Sequence, residues 1–219
     1  MMERRRVLRV IGGATLGTAA MLAMPRAVLR GAAAPPSEFV IQGVPTVAQI
    51  WPLSCEYAAT SAATGLWGPT LSQQTMHAEI GNHLNPHRGF RGNILGSWGG
   101  TTDYGVYPEA IVPALHRHGY TQSRAFRAGT DTLKRELAAG NPVVVWIVGN
   151  YTAQRRVYLT DGAESYFVIP YEHAVTLYGY DERGVHIMDP GHGAKYHESW
   201  DRLEFGWVQL DHMALTVAK

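Results

Sequence analysis

The sequence predicts an α+β domain in which helices come first and antiparallel strands follow. Two observations favour this class. Helical segments that end at glycines occupy the chain from about residue 55 to residue 140. From residue 142 onward the apolar residues form short runs typical of strands, joined by turns. Helices and strands that are segregated in this way indicate helices packed against one sheet.

Four helical segments are expected before the strands. The first follows Cys55 and ends at Gly65, and its many alanines favour a buried central helix. The four segments are Glu56 to Ala63, Ser72 to Gly81, Pro108 to His118 and Thr132 to Ala139.

A long glycine-rich segment, residues 82–107, separates the second helix from the third. A connection of this length inside a domain is usually functional or disordered. Its aromatic residues favour an ordered loop that lines a surface, and we expect Trp98 and Tyr104 to contact substrate.

The strands are expected in the second half of the chain. The run PVVVWIV is a continuous apolar strand, and EHAVTLYGY and GVHIMDP are two strands joined by a turn. The predicted strands are 142–148, 172–180, 184–190, one or two within 155–170, and 208–217.

Residues 1–33 form the predicted export signal. A basic segment, ERRRVLRV, precedes an apolar run of about 15 residues and small residues suited to cleavage. This run is shorter than the roughly 20 residues that span a bilayer. The arginines partly resemble the twin-arginine signal RRxFLK. We therefore expect residues 34–219 to be one exported domain, periplasmic, cell-wall or extracellular, without a stable membrane span.

Composition excludes some partners of the exported domain. Residues 1–33 carry six arginines and one acidic residue, so the remainder has a net charge near −4. Such a balance does not attract phosphate backbones, and nucleic acid is not an expected partner. The ten histidines lie mostly in loops and strands without ligand spacing, so neither a metal site nor a cofactor is expected. The oligomeric state stays open.

Cys55 is the only cysteine, so it has no disulfide partner within the chain. In an oxidising compartment a solitary cysteine is buried filler, an intermolecular link or a reactive thiol. A position in the first helical turn favours the thiolate, which is the nucleophilic form. Glu56 would oppose this effect unless its side chain points away.

His173 and Asp189 are candidates for the base and its orienting group. His173 begins one predicted strand and Asp189 ends the next, with an even separation around the turn. This spacing places both side chains on one face of the hairpin, provided that a bulge near Gly179 or Gly184 adjusts the register. Gln49, six residues before Cys55, could donate its amide to an oxyanion.

These residues, in this order, resemble the papain superfamily of cysteine peptidases. The pattern Q-x5-C at a helix start, then GNPVVVWI, then EHAVTLYGYDERGVHIMDP, is most similar to the branch that processes bacteriocin leaders at a double glycine. The resemblance implies a papain-like fold, in which the cysteine helix packs against an antiparallel sheet. It also implies that Cys55 is the nucleophile, His173 the base, Asp189 the orienting group and Gln49 the oxyanion donor.

The sequence also departs from that branch. Ser54 and Glu56 flank the cysteine, where the leader-processing enzymes usually have an acidic residue and a glycine. Those enzymes are commonly fused to a membrane transporter, so their leader-peptide substrate is not carried over. The expected function is a secreted cysteine peptidase or amide hydrolase acting on a peptide or protein through an acyl-thioenzyme. The alternatives are an NlpC-like amidase or acyl transferase of cell-wall peptides, and a non-catalytic secreted binding domain that keeps the fold.

Overall fold

A computed structural model describes residues 34–219 of the chain, so the predicted export signal lies outside the described residues. The described part is built on a seven-stranded antiparallel sheet with helices on both faces. The helices are α1 (Cys55–Thr64), α2 (Gln73–Ile80), α3 (Pro108–Arg117), α4 (Thr130–Ala138) and α5 (Trp200–Trp207). The strands are β1 (Phe39–Val40), β2 (Arg124–Arg127), β3 (Val143–Val148), β4 (Val157–Thr160), β5 (Ser165–Val168), β6 (Glu172–Tyr180), β7 (Gly184–Asp189), β8 (Ala194–Ser199) and β9 (Met213–Thr216).

The sheet places the long strand β6 near its centre. The strand order is β2-β9-β3-β6-β7-β8. In addition, β1 pairs with the C-terminal end of β6, and β4 and β5 form a separate hairpin. Side chains of α1, α2 and α3 share one apolar cluster with one face of the sheet, and those of α4 and α5 share the other. The predicted α+β class, with a cysteine-bearing helix against an antiparallel sheet, is confirmed.

Helix α1 is buried along its whole length. Its alanines allow the helix axis to approach β6 closely, and the Thr176 hydroxyl of β6 donates to the Ala59 carbonyl at 2.7 Å. Close packing with few rotatable side chains holds the first turn of α1 in a defined place beside the sheet. The prediction of a buried central helix is therefore confirmed.

Several elements were not predicted. Strands β2 and β8 and helix α5 are absent from the predicted elements. The C-terminal strand, predicted from residue 208, begins at Met213 because Val208–Leu210 forms a short 3₁₀ segment. Strand β8 is largely polar and lies at the sheet edge, where its residues alternate between half-buried and exposed. Helix α5 starts directly after it at Trp200, and the hydroxyl of Ser199 caps the helix.

The segment 82–107 is an ordered loop. The Arg91 N–H donates to the Gly105 carbonyl at 2.8 Å, and the Tyr104 N–H donates to the Arg91 carbonyl at 2.9 Å, which folds the segment back on itself. This folding brings Trp98 to the surface beside the start of β6.

Within residues 34–219, no helix has the length and apolar character that a membrane crossing requires.

Candidate active site

A cleft lies where the first turn of α1 meets the beginning of β6 and the end of β7. The residues that line it come from five separate stretches of the chain. They are Gln49, Pro52, Cys55, Trp98, Gly149, His173, Asp189, Gly191 and His192. The structure therefore brings together all four residues that were predicted to carry the chemistry.

His173 and Asp189 form a short hydrogen-bonded pair. The distance from His173 Nε2 to Asp189 Oδ1 is 2.7 Å. Oδ1 also accepts from the Gly191 N–H at 2.8 Å, and Oδ2 accepts from the Tyr196 hydroxyl at 3.2 Å. Burial raises the pKa of Asp189, but the hydrogen bond and charge of His173 outweigh it, so this pKa lies below its usual value. The bond uses Nε2, so Nδ1 is the ring nitrogen left to exchange a proton with a thiol.

The register of the β6–β7 hairpin agrees with the predicted bulge. Thr176 pairs with Met188, and the pairing shifts between Leu177 and Gly179. Asp189 consequently stands two residues along the hairpin from His173, on the same face, and its side chain reaches back to the ring.

Two glycines leave room for the histidine ring. A Cβ at Gly149 would lie 2.7 Å from the Cβ of His173, and a Cβ at Gly191 would lie 3.2 Å from its Cε1 atom. Any side chain at Gly149 would displace the ring or the strand that carries it. The glycines thus fix the ring position through close backbone approach.

Cys55 begins α1, but its thiol lies in an acidic environment. The residue is 5% exposed, and its sulfur lies 3.4 Å from Glu56 Oε2, to which the thiol donates. Burial first, and then the charges of Glu56 and Glu172, raise the pKa of the Cys55 thiol well above its usual value. The helix N-terminus and a backbone hydrogen bond from Ala174 act in the opposite direction and are outweighed. The surroundings of the thiol in the fold thus oppose the effect of the helix N-terminus that the sequence predicts.

Glu56 and Glu172 form a buried carboxyl pair beside the sulfur. Ligand atoms of Cys55, Glu56 and Glu172 all lie within 4.8 Å of one another. Glu56 Oε1 accepts from the Val106 N–H at 2.8 Å, whereas Glu172 Oε1 has no hydrogen-bond partner within the described residues. Burial raises the pKa of Glu56 to about 7, and burial together with the charge of Glu56 raises that of Glu172. Like charges this close in a dry site disfavour double ionisation, so the pair keeps a proton near neutral pH.

Glu172 was missed by the sequence analysis. A signal was present, because Glu172 is a charged residue at the start of the apolar strand EHAVTLYGY, directly before the candidate base. A buried carboxyl without a partner usually marks a functional site or an exchangeable proton.

Gln49 lines the cleft, but its amide is engaged by its own loop. The side-chain nitrogen donates to the carbonyls of Trp51 and Pro52 at 3.0 and 2.8 Å. The Gln49 backbone N–H donates to the Pro190 carbonyl at 3.0 Å, which ties the loop to the end of β7. To donate to an oxyanion, the Gln49 amide must first break its hydrogen bond to one of these carbonyls.

Gln73 holds the loop before Cys55 and was also missed. It is 5% exposed, its Oε1 accepts from the Ile50 N–H and the Ser54 hydroxyl, and its amide donates to the Ala48 carbonyl. One buried side chain thus fixes three points of the stretch that leads into the nucleophile. No local sequence signal distinguishes it from an ordinary first-turn helix residue.

The two predicted substrate contacts differ in outcome. Trp98 is 47% exposed in the cleft, and its indole N–H donates to the Glu172 carbonyl at 2.7 Å. Tyr104 is 4% exposed, and its hydroxyl bonds to Tyr107 and to the Ile169 N–H in the interior. The expectation that Tyr104 lines the cleft is wrong, because the fold of its loop turns the ring inward.

His186, His192 and His197 lie close to Asp189 in the sequence but separate in the structure. His192 lines the cleft, whereas His186 and His197 lie with Asp181 near the other end of β7. His83 and His87 engage Asn85 and Glu109 respectively, and do not form a common site.

Comparisons with known proteins agree with this geometry. The model of the Peptidase_C39 like family matches residues 41–214. Among curated proteins none matches the chain. A solved structure from Bacillus anthracis, described as a C39-like peptidase, is 22% identical with a TM-score of 0.73, over 84% of this chain and 98% of that one. Xylellain, a cysteine protease from Xylella fastidiosa, is 15% identical with a TM-score of 0.50, over 85% of this chain and 87% of its own.

Proposed function

Because the chain belongs to the Peptidase_C39 like family, we propose that it is an exported cysteine peptidase or amide hydrolase with Cys55, His173 and Asp189 as its triad. The observation that carries this proposal is the His173–Asp189 hydrogen bond of 2.7 Å in the same cleft as the only cysteine of the chain. A base, its orienting carboxylate and a nucleophile in one cleft are the parts that acyl transfer requires.

The first half of the reaction forms a thioester. The Cys55 sulfur attacks the carbonyl carbon of the scissile amide while its proton passes to His173 Nδ1. The resulting oxyanion accepts from the Cys55 N–H, which is free at the helix start, and from the Gln49 amide. The intermediate collapses as the C–N bond breaks, and the imidazolium returns the proton to the leaving amine.

The second half restores the enzyme. His173 takes a proton from a water molecule, whose oxygen attacks the thioester carbon. The C–S bond then breaks, and the sulfur regains its proton from the imidazolium. Asp189 stabilises the imidazolium in both halves and keeps the ring oriented, without itself taking the proton.

The carboxyl pair opposes the first step, because an ionised Glu56 beside the sulfur disfavours the thiolate. Protonation of Glu56 near pH 7 removes this opposition. Activity should therefore depend on the proton content of the Glu56–Glu172 pair as well as on His173.

The substrate class that we favour is a peptide or protein outside the cytoplasm. The enzyme itself would be exported through the twin-arginine route. Trp98 offers an exposed apolar surface at the cleft for a substrate side chain. Cell-wall peptides, hydrolysed by the NlpC-like chemistry of the same triad, are the nearest alternative.

Digestion of a peptide library that includes muropeptides tests the proposal, with Cys55→Ala as the inactive control. We expect cleavage by the wild-type protein, none by Cys55→Ala, and slower thiol alkylation in His173→Ala. Cleavage that persists in Cys55→Ala would overturn the assignment of the nucleophile. Alkylation that is no faster than that of a free thiol and unchanged in His173→Ala, with no cleavage, would leave a non-catalytic binding domain.

A further inference from the structure

We propose that Asp181, His186 and His197 form a binding site for a divalent transition metal, with Zn²⁺ as the best match. This site lies at the end of the β6–β7 hairpin that is remote from the candidate active site. It departs from the expectation, drawn from sequence spacing, that the chain holds no metal site.

The three side chains converge through strand pairing. His186 of β7 and His197 of β8 are direct cross-strand partners, so their side chains leave the same face of the sheet. Their ring centroids are 5.1 Å apart with nearly perpendicular planes. Asp181 begins the turn between β6 and β7, and its Oδ1 lies 3.1 Å from His197 Nε2.

The distances suit a shared ion. One ligand atom from each of the three residues lies within 4.8 Å of the others. Zinc–ligand bonds of about 2.0–2.2 Å place tetrahedral ligand atoms about 3.3 Å apart. The Asp181–His197 separation already meets this value, and the His186 nitrogen must move by no more than about 1.5 Å, which rotation about its side-chain bonds supplies.

The backbone leaves space for both rings. A Cβ at Gly179, the β6 partner of His186, would lie 3.1 Å from His186 Cδ2. A Cβ at Gly184 would lie 2.8 Å from His197 Cε1. At both positions backbone atoms lie nearer still, the Phe39 carbonyl oxygen at 2.6 Å and the Glu198 carbonyl oxygen at 1.9 Å, so glycine is required first by the close backbone and also leaves room for the rings.

The surrounding charges permit a cation. Glu38 lines a surface cavity together with Asp181 and His186, which adds a second acidic residue to the surroundings of the site. Arg183, whose guanidinium is 3.8 Å from Asp181 Oδ2, is 85% exposed and free to turn into solvent. Asp181 Oδ1 accepts from the Arg183 and Gly184 N–H groups, which orients the carboxylate toward the histidines.

A bound ion would join the β6–β7 turn to the edge strand β8. Strand β8 has only β7 as a neighbour in the sheet, so a cross-strand metal link adds a connection that edge strands otherwise lack. The position of the site thus suits a structural metal ion, and one coordination position stays open toward solvent.

Zinc titration by calorimetry tests the site, in full-chain protein that carries Cys55→Ala and His173→Ala so that the cleft offers no thiol–imidazole pair. The variants are His186→Gln and His197→Gln. The matched control is His118→Gln, because His118 also contacts a carboxylate, Glu79 at 2.6 Å, without a second imidazole. Co²⁺ absorption in the visible range reports the coordination geometry independently of the heat signal.

We expect one Zn²⁺ per chain in the parent and in His118→Gln, with a rise in the melting temperature on zinc addition. Each of the two site variants should weaken zinc binding at least tenfold and lose the rise, while circular dichroism shows that they stay folded. Peptidase activity of the site variants in the native-Cys55 background should be unchanged. Zinc binding in either site variant that matches the parent, or the absence of stoichiometric binding in the parent, would overturn the proposal.

Discussion

Replacing Glu56 by glutamine separates the electrostatic effect of the buried carboxyl from its packing. Glutamine keeps the shape of the side chain, and its carbonyl can still accept from the Val106 N–H, as Glu56 Oε1 does at 2.8 Å. Its amide, in the place of the oxygen 3.4 Å from the Cys55 sulfur, can donate to a thiolate instead of repelling it. We therefore expect Glu56→Gln to raise the reactivity of the thiol.

The size of the effect follows from the separation of the charges. Two unit charges about 4 Å apart interact by about 4 kcal/mol at the effective dielectric typical of proteins. Removing that repulsion raises the thiolate population by up to about 1000-fold at a fixed pH. A less basic thiolate is also a weaker nucleophile, with a Brønsted coefficient of about 0.5, so the expected gain in alkylation rate is about 30-fold.

The pH dependence makes this prediction specific. Burial raises the pKa of Glu56 to about 7, so the wild-type carboxyl is largely charged at pH 8 and largely neutral at pH 5.5. The gain should therefore be close to 30-fold at pH 8 and should shrink toward unity at pH 5.5. Alkylation by iodoacetamide, an uncharged reagent, followed by mass spectrometry of the Cys55 peptide measures both rates.

A matched control is Glu164→Gln, which removes an exposed carboxylate from the β4–β5 turn. It should alkylate at the wild-type rate at both pH values. An unchanged rate in Glu56→Gln at pH 8 would refute the electrostatic reasoning. A slower rate would refute it too, and would identify Glu56 as a group that takes the thiol proton.

Three further predictions concern the supporting residues. Asp189→Asn should lower kcat/KM about tenfold, because a neutral hydrogen bond stabilises an imidazolium about 1–2 kcal/mol less than a charged one; steady-state kinetics on a cleaved peptide measure this. Glu172→Gln should flatten the pH dependence of the free energy of unfolding. A carboxyl whose pKa is raised by folding stabilises the folded state most below its unfolded pKa, and this stability is lost as the pH rises. For the neighbouring Glu56 the loss falls between about pH 4.5 and pH 7. Urea unfolding at pH 5 and pH 8 measures this, and an equal slope in variant and wild type would contradict it. Gly105→Ala should destabilise by about 1–3 kcal/mol, because its Cβ would lie 1.8 Å from Glu56 Oε1, whereas Gly129→Ala, with open space around it, is the control.

The sequence was informative where chemistry and periodicity act locally. The start of α1 at Cys55, the strands β6 and β7, and the bulge near Gly179 follow from apolar spacing and glycine positions. The order of the four cleft residues along the chain was enough to recognise the fold class. These features depend on neighbours in sequence or on one hairpin, so a single sequence carries them.

Features that depend on packing between distant segments could not be predicted from the sequence. Tyr104 looked like a surface aromatic, but backbone pairing within its loop turns the ring into the core. Strand β8 is largely polar and carries little apolar signal, and its place at the sheet edge is decided by which strands flank it. The position of Gln73 beneath the Cys55 loop arises only when α2 packs beside α1.

The chemistry of the Cys55 thiol is the clearest case of such a non-local effect. A helix N-terminus contributes roughly half a positive charge, and from sequence alone only the direction of Glu56 could be set against it. In the fold, β6 carries Glu172 to the same place, and burial of the thiol, followed by the charges of Glu56 and Glu172, raises the pKa of the thiol instead. Protonation of the pair removes the two carboxylate charges that raise the pKa of the thiol, whereas burial continues to raise it. The rate of the proposed triad should therefore depend on the proton of the carboxyl pair in addition to the proton of the thiol.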